Sequence, residues 1–193
     1  MHHNPEAFNA LVRTRRSVFP KQFVPGGKVP DAIMEEVLEN AIWAPTHKLT
    51  EPWHFVVFTG DGLKKLAEFQ SAMYRHTAGS NFKEDKYVKF QTQPLLASHI
   101  IAICMKRHAS VPEVEEIAAV ACAVQNIYLS ITAYGYGGYW TTGGVTYMPE
   151  AKSFFGLGEE DKLLGFFYVG VVGVPPVAGK RMAVTEKTEW RRG

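Results

Sequence analysis

Apolar positions along the chain follow two different periods, and the changes between them outline an irregular series of helices and strands. Pro5 to Arg16 places Phe8, Leu11 and Val12 on one helical face, with Arg13, Arg15 and Arg16 at the C-terminal end where cations suit the helix dipole. A loop punctuated by Pro20, Pro25, Gly26, Gly27 and Pro30 follows. Asp31 is then expected to cap a helix whose apolar residues Ile33, Met34, Val37, Leu38, Ala41 and Ile42 recur at helical spacing until Pro45 stops it. His54 to Thr59 reads as a short strand ending at Gly60, and Asp61 to Tyr74 as a helix burying Leu63, Leu66, Ala67, Phe69 and Met73.

Ser80 to Gln93 breaks the pattern by mixing five charged residues with Phe82, Tyr87 and Phe90, which predicts a mobile flap or an irregular helix. Leu95 to Met105 and Leu163 to Val172 are nearly unbroken apolar runs and read as buried strands. Between them, Glu113 to Tyr134 predicts a long helix with an acidic first turn, apolar almost all round from Ile117 to Val124. Burial on more than one face is implied, which a central position in a dimer would satisfy. Gly135 to Thr142 turns out of that helix into aromatic-rich extended chain, and the tail after Pro176 is polar and basic.

With only a few convincing strands interleaved irregularly with helices, the pattern predicts an α+β fold with one small sheet. No linker or repeat divides residues 1–193, so a single domain is expected. A chain of 193 residues with 46% hydrophobic and 12% aromatic residues can build a full core without disulfides, which excludes a disordered chain. Its two cysteines, Cys104 and Cys122, lack CxxC spacing and read as core residues of a protein in a reducing compartment. No apolar run approaches the length of a membrane span and the N-terminus lacks a signal-peptide core, so the expectation is a cytoplasmic protein without a membrane partner.

The formal charge of +2 offers no surface for nucleic acid, yet it hides an asymmetry. Residues 1–30 carry five cations against Glu6, and residues 177–193 carry five against Glu186 and Glu189, so the middle of the chain is acidic. Solvated termini would explain this, and so would two basic ends that meet around one anion.

Several well-known constellations are missing. There is no GxxxxGK[ST], no HExxH, no GxSxG and no metal-ligand spacing among the seven histidines. The glycine cluster from Gly135 to Trp140 follows a helix and lacks the third glycine of a dinucleotide fingerprint.

Three pieces remain informative: Arg15-Arg16-Ser17, the stretch from Trp43-Ala44-Pro45-Thr46-His47-Lys48 to Trp53-His54-Phe55, and Gly137-Gly138-Tyr139-Trp140-Thr141-Thr142-Gly143. In this order and spacing they resemble the nitroreductase family of FMN-dependent oxidoreductases, closest to its short branch, over nearly the whole chain. The resemblance implies a small mixed sheet flanked by helices, a long central helix at a homodimer interface, and flavin sites at that interface. It implies FMN as cofactor and NAD(P)H as co-substrate for ping-pong reduction of a small-molecule acceptor such as a nitroaromatic or quinone. The flavin carries the chemistry, so no catalytic side chain and no metal is expected.

Residue by residue, the resemblance places Arg15, Arg16 and Ser17 at the phosphate and ribityl end, where guanidinium groups and a hydroxyl suit a phosphate. Trp43 and His47 would touch the flavin of the opposite subunit, while Trp140, Thr141 and Thr142 run beside it. Ser130, Ile131, Thr132, Ala133, Tyr134 and Gly135 match a nicotinamide-binding segment, and Arg181 would return to the phosphate. Phe82, Tyr87 and Phe90 would set acceptor size. The family pattern Ala-Pro-Ser-x-x-Asn-x-Gln-Pro-Trp is broken here by Leu49 and Glu51. That break leaves two alternatives open: a specialised FMN reaction such as dehalogenation or flavin fragmentation, and a dimeric interaction module without flavin.

Overall fold

The computed structural model describes residues 4–193, and the two apolar runs lie at the centre of a four-stranded sheet. The strands are β1 (Trp53–Thr59), β2 (His99–Met105), β3 (Gly137–Thr141) and β4 (Lys162–Gly170), in spatial order β1-β2-β4-β3. The helices are α1 (Pro5–Thr14), α2 (Asp31–Ile42), α3 (Asp61–Thr77), α4 (Glu84–Thr92) and α5 (Glu113–Ala133). Successive strand side chains point to opposite faces. Ile101, Ile103 and Met105 therefore pack against α2 and α5, while Ile100, Ala102 and Cys104 pack on the side of α3. Helices on both faces explain why β2 and β4 read as continuous apolar runs.

All three strand pairs are antiparallel, which corrects the expected mixed sheet. The crossover through α5 does leave β2 and β3 pointing the same way. However, β4 inserts between them and pairs antiparallel with both. Parallel pairing survives among the described residues only at the bridge from Ser17 to Gly138.

Three local expectations also change. Pro30, held at φ −60°, occupies the N-cap of α2, so Asp31 is free to pair with His99 Nε2 at 2.8 Å. His99 Nδ1 in turn lies 3.1 Å from Ser98 Oγ, which accepts the Val29 N–H. This Asp-His-Ser chain clamps a loop to the sheet, since Ser98 and His99 are buried and the serine oxygen is already bonded. The segment read as a mobile flap or an irregular helix contains a regular helix, α4, whose first turn Glu84 and Asp85 stabilise. α1 buries none of its residues in the protomer, so its apolar stripe of Phe8 and Val12 stays exposed. Cys122 is exposed on the outer face of α5, whereas Cys104 is buried and its thiol is pushed up to about 12 by that burial.

α5 is long and apolar enough to cross a membrane by length and composition alone. Its packing against α2 and the sheet, and the buried Glu116 in its first turn, make it a core helix. Glu116 accepts from Arg107 Nη1 at 2.6 Å and from the His108 backbone N–H, and pairs with His108 Nδ1 at 2.9 Å.

A second knot ties the end of β2 to the start of β4 through Asp161. Burial raises its pKa, but N–H groups of Arg107 and Gly158 and the Lys106 ammonium, each at 2.9 Å, outweigh that and bring it to about 2. The folded value lies below the ordinary aspartate value of about 3.9, so the knot contributes about 2 kcal/mol above that pH. That stability is lost as the pH falls towards 2. Asp161→Asn should therefore flatten the acid limb of a stability-versus-pH curve measured by urea denaturation, and an unchanged limb would refute the assignment.

Candidate functional site

α1 ends at Thr14 and the chain runs out onto the free edge of β3. There the Val18 N–H donates to Gly138 O at 2.9 Å. Glycine is required at 138, where an added Cβ would lie 2.6 Å from the Phe167 ring. This pairing fixes Arg15, Arg16 and Ser17 beside Tyr128 of α5. The Arg15 guanidinium sits 4.7 Å from the Tyr128 ring centroid, a cation–π contact. Ser17 Oγ shares a hydrogen bond with the Tyr128 hydroxyl at 3.2 Å, and that hydroxyl accepts the Trp140 N–H at 2.8 Å.

Arg16 directs Nη1 to the carbonyls of Arg13 and Arg15, and its buried Nε has no acceptor. Among the described residues, none of Arg13, Arg15 and Arg16 makes an ion pair. Two cations and an orphaned donor at one strand edge, with Arg13 in the helix turn before them, form a place for an anion. The tail returns to the same spot, where Gly179 packs directly on the Arg16 guanidinium. Arg181, two residues further on, is exposed and among the described residues bonds only to Lys180 O.

Trp43 and His47 stand elsewhere. Trp43 is 78% exposed with its indole N–H on Glu39, and His47 pairs with Glu115 at the start of α5. Thirteen residues of α5 separate Glu115 from Tyr128, about 20 Å at 1.5 Å per residue. One protomer thus keeps the two predicted groups far apart. The turn after His47 is backbone-strained, with Lys48 and Leu49 at φ 52° and Glu51 at φ 45°. Left-handed backbone suits Asn better than Leu, which gives a physical reason for the Asn usual at position 49.

On the opposite face of β3 lies a cavity of about 430 Å³ between that strand and α4. Thr141, Tyr139 and Tyr168 line it, and burial raises the Tyr168 pKa so that its phenol stays protonated. Trp140 points away from this cavity and donates its indole N–H to Leu164 O at 3.1 Å, while Thr142 is exposed. Of the segment from Ser130 to Gly135, Ile131 is fully buried and so offers nothing to a ligand. Ala133, Tyr134 and Gly135 are exposed, and Ser130 and Thr132 are half-buried, the Thr132 hydroxyl being used by Tyr128 O. No three His, Cys, Asp or Glu side chains among the described residues are placed to hold a metal.

The family model described as the Nitroreductase family matches residues 12–171, spanning the arginine edge, the α4 cavity and the whole sheet. The chain belongs to the nitroreductase family. YdjA of Escherichia coli K12, named as a candidate NAD(P)H nitroreductase, is 33% identical over 141 residues, covering 71% of this chain and 74% of its own. A nitroreductase-like family protein from Bacillus cereus superposes with a TM-score of 0.81 at 26% identity, covering 100% of this chain and 98% of that one. The FMN-dependent nitroreductase NfnB of Mycobacterium smegmatis, solved with NADPH, shares the fold with a TM-score of 0.73 at 20% identity, covering 97% and 99% of the two chains.

Within this nitroreductase-family frame, sequence reasoning missed Tyr128, the hydroxyl that joins Ser17 to Trp140. Nothing in the helical pattern of α5 distinguishes it from a core aromatic. It also missed Gln70, whose buried amide lines the α4 cavity.

Proposed function

We propose that this chain is an FMN-dependent oxidoreductase that uses NAD(P)H to reduce nitroaromatics, quinones or similar small acceptors in two alternating half-reactions. The observation that carries the reading is the arginine edge: cations without carboxylate partners and a buried Arg16 Nε without an acceptor fit a phosphate. Bound FMN supplies the hydride-transfer chemistry. Arg15 and Arg16 hold its phosphate, Ser17 adds a hydroxyl, and Tyr128 keeps Ser17 and the Trp140 backbone in register. Thr141 and Thr142 border the ring, and Arg181 reaches the phosphate from the tail. Ser130, Thr132, Ala133, Tyr134 and Gly135 meet the nicotinamide nucleotide; the buried Ile131 is left out. The protein supplies no nucleophile, in keeping with the high pKa of the buried Cys104 thiol.

A homodimer completes the site in this reading. His47 sits at Glu115, about 20 Å along α5 from Tyr128 and the arginine edge, and the exposed Trp43 is available to a flavin across a two-fold axis. The outward face of α5, with Val114 70% exposed and Cys122 free, would pack there. The proposal extends to a cytoplasmic location, where both thiols stay reduced.

The purified protein should be yellow and should bleach anaerobically on addition of NADH or NADPH. A colourless protein whose thermal stability does not respond to FMN would refute the reading. Arg15→Ala should weaken FMN binding by about 1.5 to 3 kcal/mol in a fluorescence titration, the loss of one charge-assisted contact. Unchanged affinity would remove Arg15 from the site.

A further inference from the structure

We propose that the cavity between α4 and β3 selects electron acceptors that carry an anionic group, with Lys83, Lys86 and Lys89 supplying the attraction and Gln70 a donor that orients an acceptor oxygen. The inference deepens the FMN-oxidoreductase reading and rests on it for the location of the reacting ring, which Thr141 and Gly143 border at the mouth of this cavity.

Three-residue spacing puts the lysines on one side of α4, so all three line the cavity. The one carboxylate that faces them is Asp85, and among the described residues none of these four groups makes an ion pair. A surface lysine is ordinarily free to swing into water, but Lys86 is held inward. Its Nζ lies 4.8 Å from the Tyr74 ring centroid and 5.8 Å from that of Phe90. Tyr168 contributes a neutral phenol, because burial keeps its hydroxyl protonated. The wall therefore carries three cations against the single Asp85 carboxylate, a net positive charge.

Gln70 provides the second, independent observation. It is 2% exposed at the cavity wall, and its amide nitrogen is buried with no acceptor. Buried donors in native proteins are almost always paired, and one left open at a cavity wall calls for an oxygen from a ligand. Phe90 and Phe166 supply apolar surface beside it, room for an aromatic ring. The shape, the open donor and the lysines together describe an aromatic acceptor with a carboxylate or sulfonate. Beside this cavity lies another of about 600 Å³ that shares Asp85, Lys89, Gln93 and Tyr139 and adds Lys21, which extends the positive field outward.

The test compares 4-nitrobenzenesulfonate with 4-nitrobenzenesulfonamide, two acceptors of similar size that differ in charge. The FMN-loaded dimer is assayed with NADH and NADPH, and binding of both compounds to the unreduced protein is measured by calorimetry. The expected kcat/KM ratio of sulfonate to sulfonamide is about tenfold or more at low salt, falling several-fold in 0.5 M NaCl as screening removes the attraction. The double variant Lys86→Gln, Lys89→Gln should bring the ratio close to one. Gln70→Leu should weaken binding of both compounds without lowering the melting temperature, because it removes an unpaired donor from the interior. A wild-type ratio near one, a ratio unmoved by the lysine substitutions, or lysine variants that lose FMN affinity in place of selectivity would each overturn the inference. Turnover of both compounds at equal efficiency sinks it while the oxidoreductase reading stands. Salt-sensitive, lysine-dependent binding of the sulfonate with no turnover of either compound supports the anion site and sinks that reading.

Discussion

Glu116→Ala is expected to lower folding stability by about 3 to 5 kcal/mol, the cost of removing one partner from a buried ion pair. Glu116 is 1% exposed and satisfies three donors, from the Arg107 guanidinium, the His108 backbone and the His108 ring. Its removal strands Arg107, which is largely covered, and opens a hole at the junction of β2 with α5. Urea denaturation of the variant beside Glu116→Gln separates the terms. Glutamine keeps the shape and one acceptor, so it should lose less. Equal and small losses in both would mean that the cluster is solvated in solution and contributes little.

The second large effect is expected at Gly165, in the middle of β4. Its φ of +120° is a conformation that side chains rarely adopt, and an added Cβ would run into the Thr141 backbone oxygen. Strain and overpacking together make Gly165→Ala cost about 3 kcal/mol. Relief comes only by pushing β3 away from β4, which displaces Thr141 at the mouth of the α4 cavity. Turnover and stability should therefore fall together. Gly62→Ala serves as the control, because a Cβ there meets only ordinary contacts at 3.8 Å and a helix favours alanine over glycine. If Gly165→Ala proves as well tolerated as Gly62→Ala, the β3–β4 spacing is softer than the geometry implies.

Both effects bear on what the amino-acid order reveals. The helical faces of α2 and α3 were legible because their apolar residues keep one period over three or more turns. The strands β2 and β4 were legible as unbroken apolar runs. The strand order was not, since insertion of β4 between β2 and β3 depends on contacts between residues far apart in the chain. The helix α1 was legible too, but not what covers its apolar face, and Cys122 failed for the same reason: periodicity reports an apolar face without saying what covers it. At the candidate site, Arg15, Arg16 and Ser17 could be picked out as a cluster of phosphate-suited groups. Tyr128 and Gln70 could not, because each owes its importance to one tertiary neighbour or to the lack of one.

The length of α5 has a consequence for how damage is shared. If each flavin draws on the start of that helix from one copy and on its far half from the other, a dimer holds two half-sites per copy and no copy owns a whole one. Two defective alleles, one altered at Arg15 and the other at His47, would then rescue each other in mixed dimers, since one of the two sites inherits both faults and the other neither.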